Sequence, residues 1–166
     1  GGMSFVDFAH LNRGNIKNGI LDYNRQKTGT SMRLEVLDTA EAMYKELAGE
    51  RAGGSGYLFP FLSGTKNGHE EYLEYTAALS RFNRNLKTLK EVAGIVSDVT
   101  SYTIRHSFAM SLKEQNVPIE MISELLGHKS IKTTQIYLRS FSLEKMTVVN
   151  KSCFETVSYT HLRAHE

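Results

Sequence analysis

Between Val99 and Phe141 the chain reads VTSYTIRHSFAMSLKEQNVPIEMISELLGHKSIKTTQIYLRSF, and its punctuation admits little other than a succession of helices joined by tight turns. Thr100 or Ser101 is placed to cap the first, in which Ile104, Phe108 and Leu112 recur at helical spacing as an apolar stripe. Tyr102 and Arg105, three residues apart, are neighbours on its surface. This helix should end near Asn116. Pro118 suits the first turn of the second, whose Ile119, Ile122, Leu125 and Leu126 form the buried face as far as Gly127. Leu126-Gly127-His128 has the form of a C-cap, with glycine in the left-handed conformation and histidine in the field of the helix end. Ser130 begins another short helix, and Tyr137 follows within it.

Taken singly, the polar residues of this run have ordinary readings. Arg105 is a surface cation, His128 part of a cap, and Tyr137 a half-buried aromatic between Ile136 and Leu138. Together they suit attack on a phosphodiester. A tyrosine hydroxyl is a poor nucleophile at neutral pH and the phosphate repels anions, so cations must hold the phosphate and stabilise developing charge. Arginine stays charged and donates in a planar fork, whereas histidine donates one bond and can move a proton.

In this order, YTIRHSFA, ELLGHKS and KTTQIYL resemble the active-site region of tyrosine recombinases of the phage integrase family. The resemblance implies that Tyr137 attacks a backbone phosphate to give a 3′-phosphotyrosyl link and a 5′-hydroxyl, with Arg105 and His128 holding the phosphate. It also implies that no metal or nucleotide cofactor is needed, because the covalent bond conserves the energy of the broken phosphodiester.

The upstream half adds to the resemblance. In GNIKNGILDYNRQKTGTSMRLEVL, Asn18-Gly19 is a type I′ hairpin signal, and a second turn falls around Lys27, Thr28 and Gly29 before the β-prone Met32 to Val36. Three short antiparallel strands result. Lys27 stands where the family carries a lysine that reaches the scissile phosphate and protonates the departing 5′ oxygen. Taken alone, it is a flexible loop lysine.

Two positions depart from the family pattern. Tyr102 replaces the usual histidine three residues before Arg105; its phenol can donate a hydrogen bond but is no base near neutrality. In GGMSFVDFAHL, Ser4 stands where the first arginine is expected. Integrases similar to those of Bacteroides-type mobile elements carry RGMSFVD, with an arginine one helical turn earlier, at the position of Gly1. Ser4 is thus a candidate phosphate contact or a serine capping or packing in a helix.

Charge distribution supplies candidate DNA contacts. The net charge of the 166-residue chain is only +2. However, Arg13, Lys17, Arg25, Lys27 and Arg33 cluster around the expected sheet, while Arg81, Arg84, Lys87 and Lys90 recur at helical spacing. Arg25, Arg33, Arg84, Lys87, Lys129 and Lys132 are the positions expected to meet phosphate; the ordinary reading is a set of solvated faces.

A helix is expected from Asp38, with Glu41 in a capping-box-like start, through about Ala48, ended by Gly53, Gly54 and Gly56. YLFPFL reads as a loop anchored by Phe59 and Phe61, interrupted by Pro60. From about Glu70 to Val92 a long helix places Tyr75, Leu79, Phe82, Leu86 and Leu89 on its apolar side, and its FNRNLK centre again looks like Bacteroides-type integrases.

A hydrophobic content of 40% and two prolines argue for one well-packed core. The absence of a membrane-length apolar run or secretory leader gives a cytoplasmic expectation. The single cysteine, Cys153, cannot form an internal disulfide, and the histidines lack metal-ligand spacing. The ending ETVSYTHLRAHE looks like translated sequencing adapter.

The expected organisation is a tyrosine recombinase catalytic domain over residues 1–155, truncated at its N-terminal edge, with a non-native tail at 156–166. The expected fold is α+β and mainly helical, the DNA breaking-rejoining fold with a small three-stranded antiparallel sheet. Double-stranded DNA and a homotetramer formed on it are the implied partners. The competing readings are a catalytically inactive DNA-binding integrase fragment, a helix-turn-helix regulator that gives Tyr137 no task, and a structural interaction domain.

Overall fold

The computed structural model describes residues 2–49 and 56–138. Element order is α1 (Phe5–Ala9), a 3-10 turn (Arg13–Asn15), β1 (Ile16–Lys17), β2 (Ile20–Asn24), β3 (Ser31–Glu35), α2 (Asp38–Gly49), α3 (His69–Val92), α4 (Ser101–Glu114), α5 (Ile119–Leu126) and α6 (Ile131–Tyr137). This is the mainly helical α+β arrangement expected, with the strands paired antiparallel in the order β1-β2-β3. Cys153 and the adapter-like ending lie outside the described residues.

Backbone chemistry explains the sheet. Asn18 and Gly19 have φ of 51° and 73°, the paired positive values of a type I′ turn, and this pins Lys17 opposite Ile20. At the next turn Gly29, φ 66°, donates its N–H to the Arg25 carbonyl at 2.8 Å. Opposite residues point to the same face of a pleated pair, so Tyr23 and Met32, directly paired, are buried together. They join Leu11, Leu58 and Phe59 in one core cluster.

The YLFPFL segment is a loop, as expected, with an isolated β-bridge between Tyr57 and Asn12. Its rings bind it to α1: Phe59 lies tilted against Phe8 with centroids 4.3 Å apart, and Phe61 meets Phe5 edge-on at 5.2 Å. Phe5 also packs 4.7 Å from Phe82 of α3. Here the apolar side of α3 is shorter than its sequence suggests. Ala78 is buried and Tyr75, Leu79 and Phe82 pack around it, whereas Leu89 is 62% exposed.

A third cluster, Ala109, Ile122, Leu126 and Leu138, joins α4, α5 and the end of α6. The buried face of α4 is rotated from the expected stripe. Ile104 is 47% exposed, while the adjacent Arg105 and Ala109 are 7% and 0% exposed. Burial follows the cation rather than the aliphatic residue because the guanidinium finds carbonyl partners there, as the site geometry below makes clear. Among the described residues no helix is long and apolar enough to cross a membrane.

Candidate active site

Three helix ends converge on the site. Thr100 caps α4, its hydroxyl accepting from the Thr103 N–H at 3.2 Å, and so sets Arg105 in the second turn. The α5 terminus is a Schellman motif: His128 N–H donates to the Ser123 carbonyl at 2.9 Å and Gly127 N–H to the Glu124 carbonyl at 2.8 Å. Gly127 has φ 60°, and a Cβ there would lie 2.5 Å from both Arg25 Cδ and Met32 Sδ. Glycine is therefore demanded twice, by conformation and by close approach. Ser130 caps α6 through the Lys132 N–H at 3.2 Å, giving Tyr137 its position at the end of that helix.

Arg105 is fixed by main-chain carbonyls. Its Nη1 donates to the Gly2 carbonyl and its Nη2 to the Leu126 carbonyl, with Nη2 also 3.4 Å from His128 Nε2. These contacts occupy three of the five guanidinium N–H donors. Burial, then the charge of Arg25, lowers its pKa from the ordinary arginine value, opposed in part by Tyr137 and Asp7.

The imidazole of His128 is half-buried, with Nδ1 2.9 Å from the Thr134 hydroxyl. Burial, then Arg105 and then Arg25, pulls its pKa down to about 4, so the ring is neutral at pH 7. A guanidinium only donates, so Nε2 facing Arg105 carries the lone pair and Nδ1 carries the proton.

Tyr137 is surrounded by rings. Tyr102, His106 and His128 meet it edge-on at centroid distances of 5.7, 5.1 and 5.9 Å. Its hydroxyl is buried and has no hydrogen-bond partner among the described residues, as has His106 Nδ1. Burial, followed by Tyr102, pushes the phenol up to about 12, with Arg105 acting in the opposite sense. The tyrosine is consequently protonated at any physiological pH.

The structure thus brings together Arg105, His128, Tyr137 and Tyr102. Lys27 lies exposed in the turn between β2 and β3. Ser4 is the N-cap of α1: its hydroxyl donates to Asp7 Oδ2 at 2.5 Å and accepts from the Asp7 N–H at 3.4 Å. That commits Ser4 to capping. Arg33, Arg84, Lys87, Lys129 and Lys132 are exposed.

Arg25 corrects the expected set of DNA contacts. It is 7% exposed, its Nε donating to Asp7 Oδ2 at 3.3 Å and its Nη1 to the Gly127 carbonyl at 2.8 Å. Asp7, buried and bonded also by the Gln26 N–H at 2.8 Å, holds this cation inside. Arg25 is a strut between the sheet and the His128 turn. Sequence reasoning passed over Asp7, Thr134 and His106; the usable signal was Asp7, a carboxylate inside the apolar run FVDFA, where burial demands a partner. Among the described residues no group of three or more His, Cys, Asp or Glu side chains is arranged to hold a metal ion.

The domain is mainly helical and sets an arginine, a histidine and a tyrosine around one half-buried point. Residues 2–144 match the phage integrase family, and the chain belongs to it. Among curated relatives it is 42% identical over 69 residues to tyrosine recombinase XerD of Lacticaseibacillus casei, covering 42% of this chain and 24% of that protein. It is 41% identical over 75 residues to tyrosine recombinase XerC of Rickettsia typhi, covering 45% of this chain and 24% of the relative. Among solved structures, XerA recombinase superposes with a TM-score of 0.66 at 24% identity, over 90% of this chain and 53% of that one. XerH bound to palindromic difH substrate gives 0.66 at 20% identity, over 90% and 41%. These superpositions establish the tyrosine recombinase catalytic fold. The match spans about a quarter of the curated relatives' length.

Proposed function

We propose that this chain carries the catalytic chemistry of site-specific DNA recombination, cutting and rejoining strands through a 3′-phosphotyrosyl intermediate. The observation that carries the reading is the convergence of Arg105, His128 and Tyr137, supplied by separate helix ends, on one place.

In this reading the scissile phosphate enters beside Arg105 and takes up the N–H donors not given to Gly2 and Leu126, the one that faced His128 turning to it. His128 donates through Nε2 to a phosphate oxygen after gaining a proton there; the anion's charge favours that uptake. Tyr137 Oη attacks phosphorus and gives up its proton to solvent water, the P–O5′ bond breaks, and that bond's electron pair leaves with the 5′ oxygen. Lys27 swings in on its long stem to protonate that oxygen, and Tyr102 supplies a further hydrogen bond. The buried, neutral phenol of the free protein is inert until the cation-bound phosphate draws it out. Arg33, Arg84, Lys87, Lys129 and Lys132 grip the flanking phosphates. Double-stranded DNA is the substrate, a tetramer on paired sites the working assembly, and the cytoplasm the setting. Residues 1–155 form the catalytic domain of a larger integrase, similar through GMSFVD and FNRNLK to those of Bacteroides-type mobile elements.

One observation favours a second reading, binding without cleavage: Ser4 stands in the register of the family's first arginine and spends its hydroxyl on Asp7. Loss of one preorganised donor costs about 10²–10³ in rate. The two are separated by incubating the protein and its Tyr137→Phe variant with randomised nicked duplexes and resolving DNA-linked protein on a denaturing gel. An adduct formed only with Tyr137 is the expected result; DNA binding with no adduct from either protein overturns the catalytic reading in favour of the second.

A further inference from the structure

Thr134 is completely buried, an unusual place for a hydroxyl within a helix. A mid-helix threonine commonly turns its hydroxyl back to the carbonyl four residues earlier. Here the hydroxyl instead meets His128 Nδ1 at 2.9 Å, from a position one turn before Tyr137 on the same helix. The other face of the imidazole is occupied by Arg105.

We propose that Thr134 is a positioning residue, whose buried hydroxyl fixes the imidazole of His128 and ties its orientation to the helix that carries Tyr137. The inference rests on the recombinase reading for its role in cleavage, but its geometric core does not. In the free protein Nδ1 carries the proton and Thr134 accepts. When His128 becomes an imidazolium to bind phosphate, the proton comes from solvent onto Nε2 and the bond to Thr134 stands unchanged. The hydroxyl oxygen accepts from Nδ1–H in both states.

The charged and titratable groups facing this ring are Arg105 from α4, Tyr137 from α6 and Arg25 from the end of β2. A carboxylate at Nδ1 would hold the ring permanently cationic, whereas the neutral hydroxyl leaves protonation to the arriving phosphate. Because Thr134 and Tyr137 share a helix, a rigid movement of α6 that carries Tyr137 also carries the hydroxyl that meets His128.

The test compares Thr134→Val, which keeps the branched shape without the hydroxyl, with Thr134→Ser, which keeps the hydroxyl. Nitrogen-15 spectra of the imidazole, recorded on the 166-residue chain without DNA, report the hydrogen bond at His128 Nδ1. Trapping on nicked duplexes across pH reports cleavage, and urea midpoints control for folding. Expected in Thr134→Val is a displaced Nδ1 resonance, because the Nδ1–H loses its acceptor, with cleavage slowed about tenfold to a hundredfold, part of what a positioned acid or base supplies, and its pH profile displaced. Thr134→Ser restores resonance and profile. A Thr134→Val protein with the native Nδ1 resonance, or a serine variant as defective as valine, overturns the assignment. Absence of adduct from the unsubstituted protein sinks the recombinase reading instead, while the spectra still decide the Thr134–His128 bond.

Discussion

Arg25→Met removes a cation from a place where its partner cannot reach water. The Asp7 side chain is 0% exposed and that of Arg25 8%, and their closest approach is 3.3 Å. Taking away one member of a buried pair strands the other charge, which typically costs about 3–5 kcal/mol. Two local features adjust that figure in opposite directions. Asp7 keeps its bonds from the Ser4 hydroxyl and the Gln26 N–H, which soften the loss. The Gly127 carbonyl, however, loses its Nη1 donor, and an unsatisfied buried acceptor costs about 1–3 kcal/mol. A destabilisation of about 3–5 kcal/mol therefore stands, a large share of the roughly 5–15 kcal/mol that holds a domain folded. At a urea slope of about 2 kcal/mol/M the unfolding midpoint should fall by about 1.5–2.5 M. The double variant Arg25→Met/Asp7→Asn should recover at least about 1 kcal/mol, because neutral asparagine no longer needs the cation. If Arg25→Met moved stability by less than about 0.5 kcal/mol, as surface substitutions do, and instead weakened DNA binding, the strut would be wrong and Arg25 would belong with the phosphate contacts.

Gly127→Ala should destabilise by about 2–5 kcal/mol, combining about 1–2 for a left-handed backbone with about 1–3 for crowding against Arg25 and Met32, read by urea unfolding; a change under about 1 kcal/mol would contradict it. Acid stability should depend on His128. Its folded pKa, about 4, lies below the unfolded value near 6.5, so the unfolded chain takes up the proton first as pH falls. Stability present above about 6.5 is lost between there and about 4, and His128→Gln should flatten that limb of the stability curve; parallel curves for the two proteins would refute the buried, neutral imidazole.

Local chemistry was the most legible part of the chain. Asn18-Gly19 announces its turn, Gly127 its cap, and Thr100 and Ser130 their helix starts, because each motif is complete within a few residues. The short segments that hold Arg105, His128 and Tyr137 are each visible locally, and that the three side chains meet is a property of the fold. Less legible was anything decided by partners far along the chain. Ile104 and Arg105 differ by one position, and choosing which is buried requires the carbonyls of Gly2 and Leu126, 103 and 21 residues away. Arg25 looked like one surface cation among several in a basic segment; only Asp7, 18 residues earlier, and the fold that buries both make it internal. Thr134 is one of two adjacent threonines, and nothing local says which of them faces His128.

The two arginine ties to main chain also bear on when the site is assembled. Arg105 reaches back 103 residues to Gly2, and Arg25 reaches forward 102 residues to Gly127. Contacts of such separation close late, since the chain must surrender the freedom of the whole intervening loop before they are rewarded. A ribosome-bound chain lacking the turn after Leu126 has neither the anchored guanidinium nor the histidine beside it. The grouping of Arg105 with His128 arrives with the meeting of distant segments, so incompletely folded copies lack it.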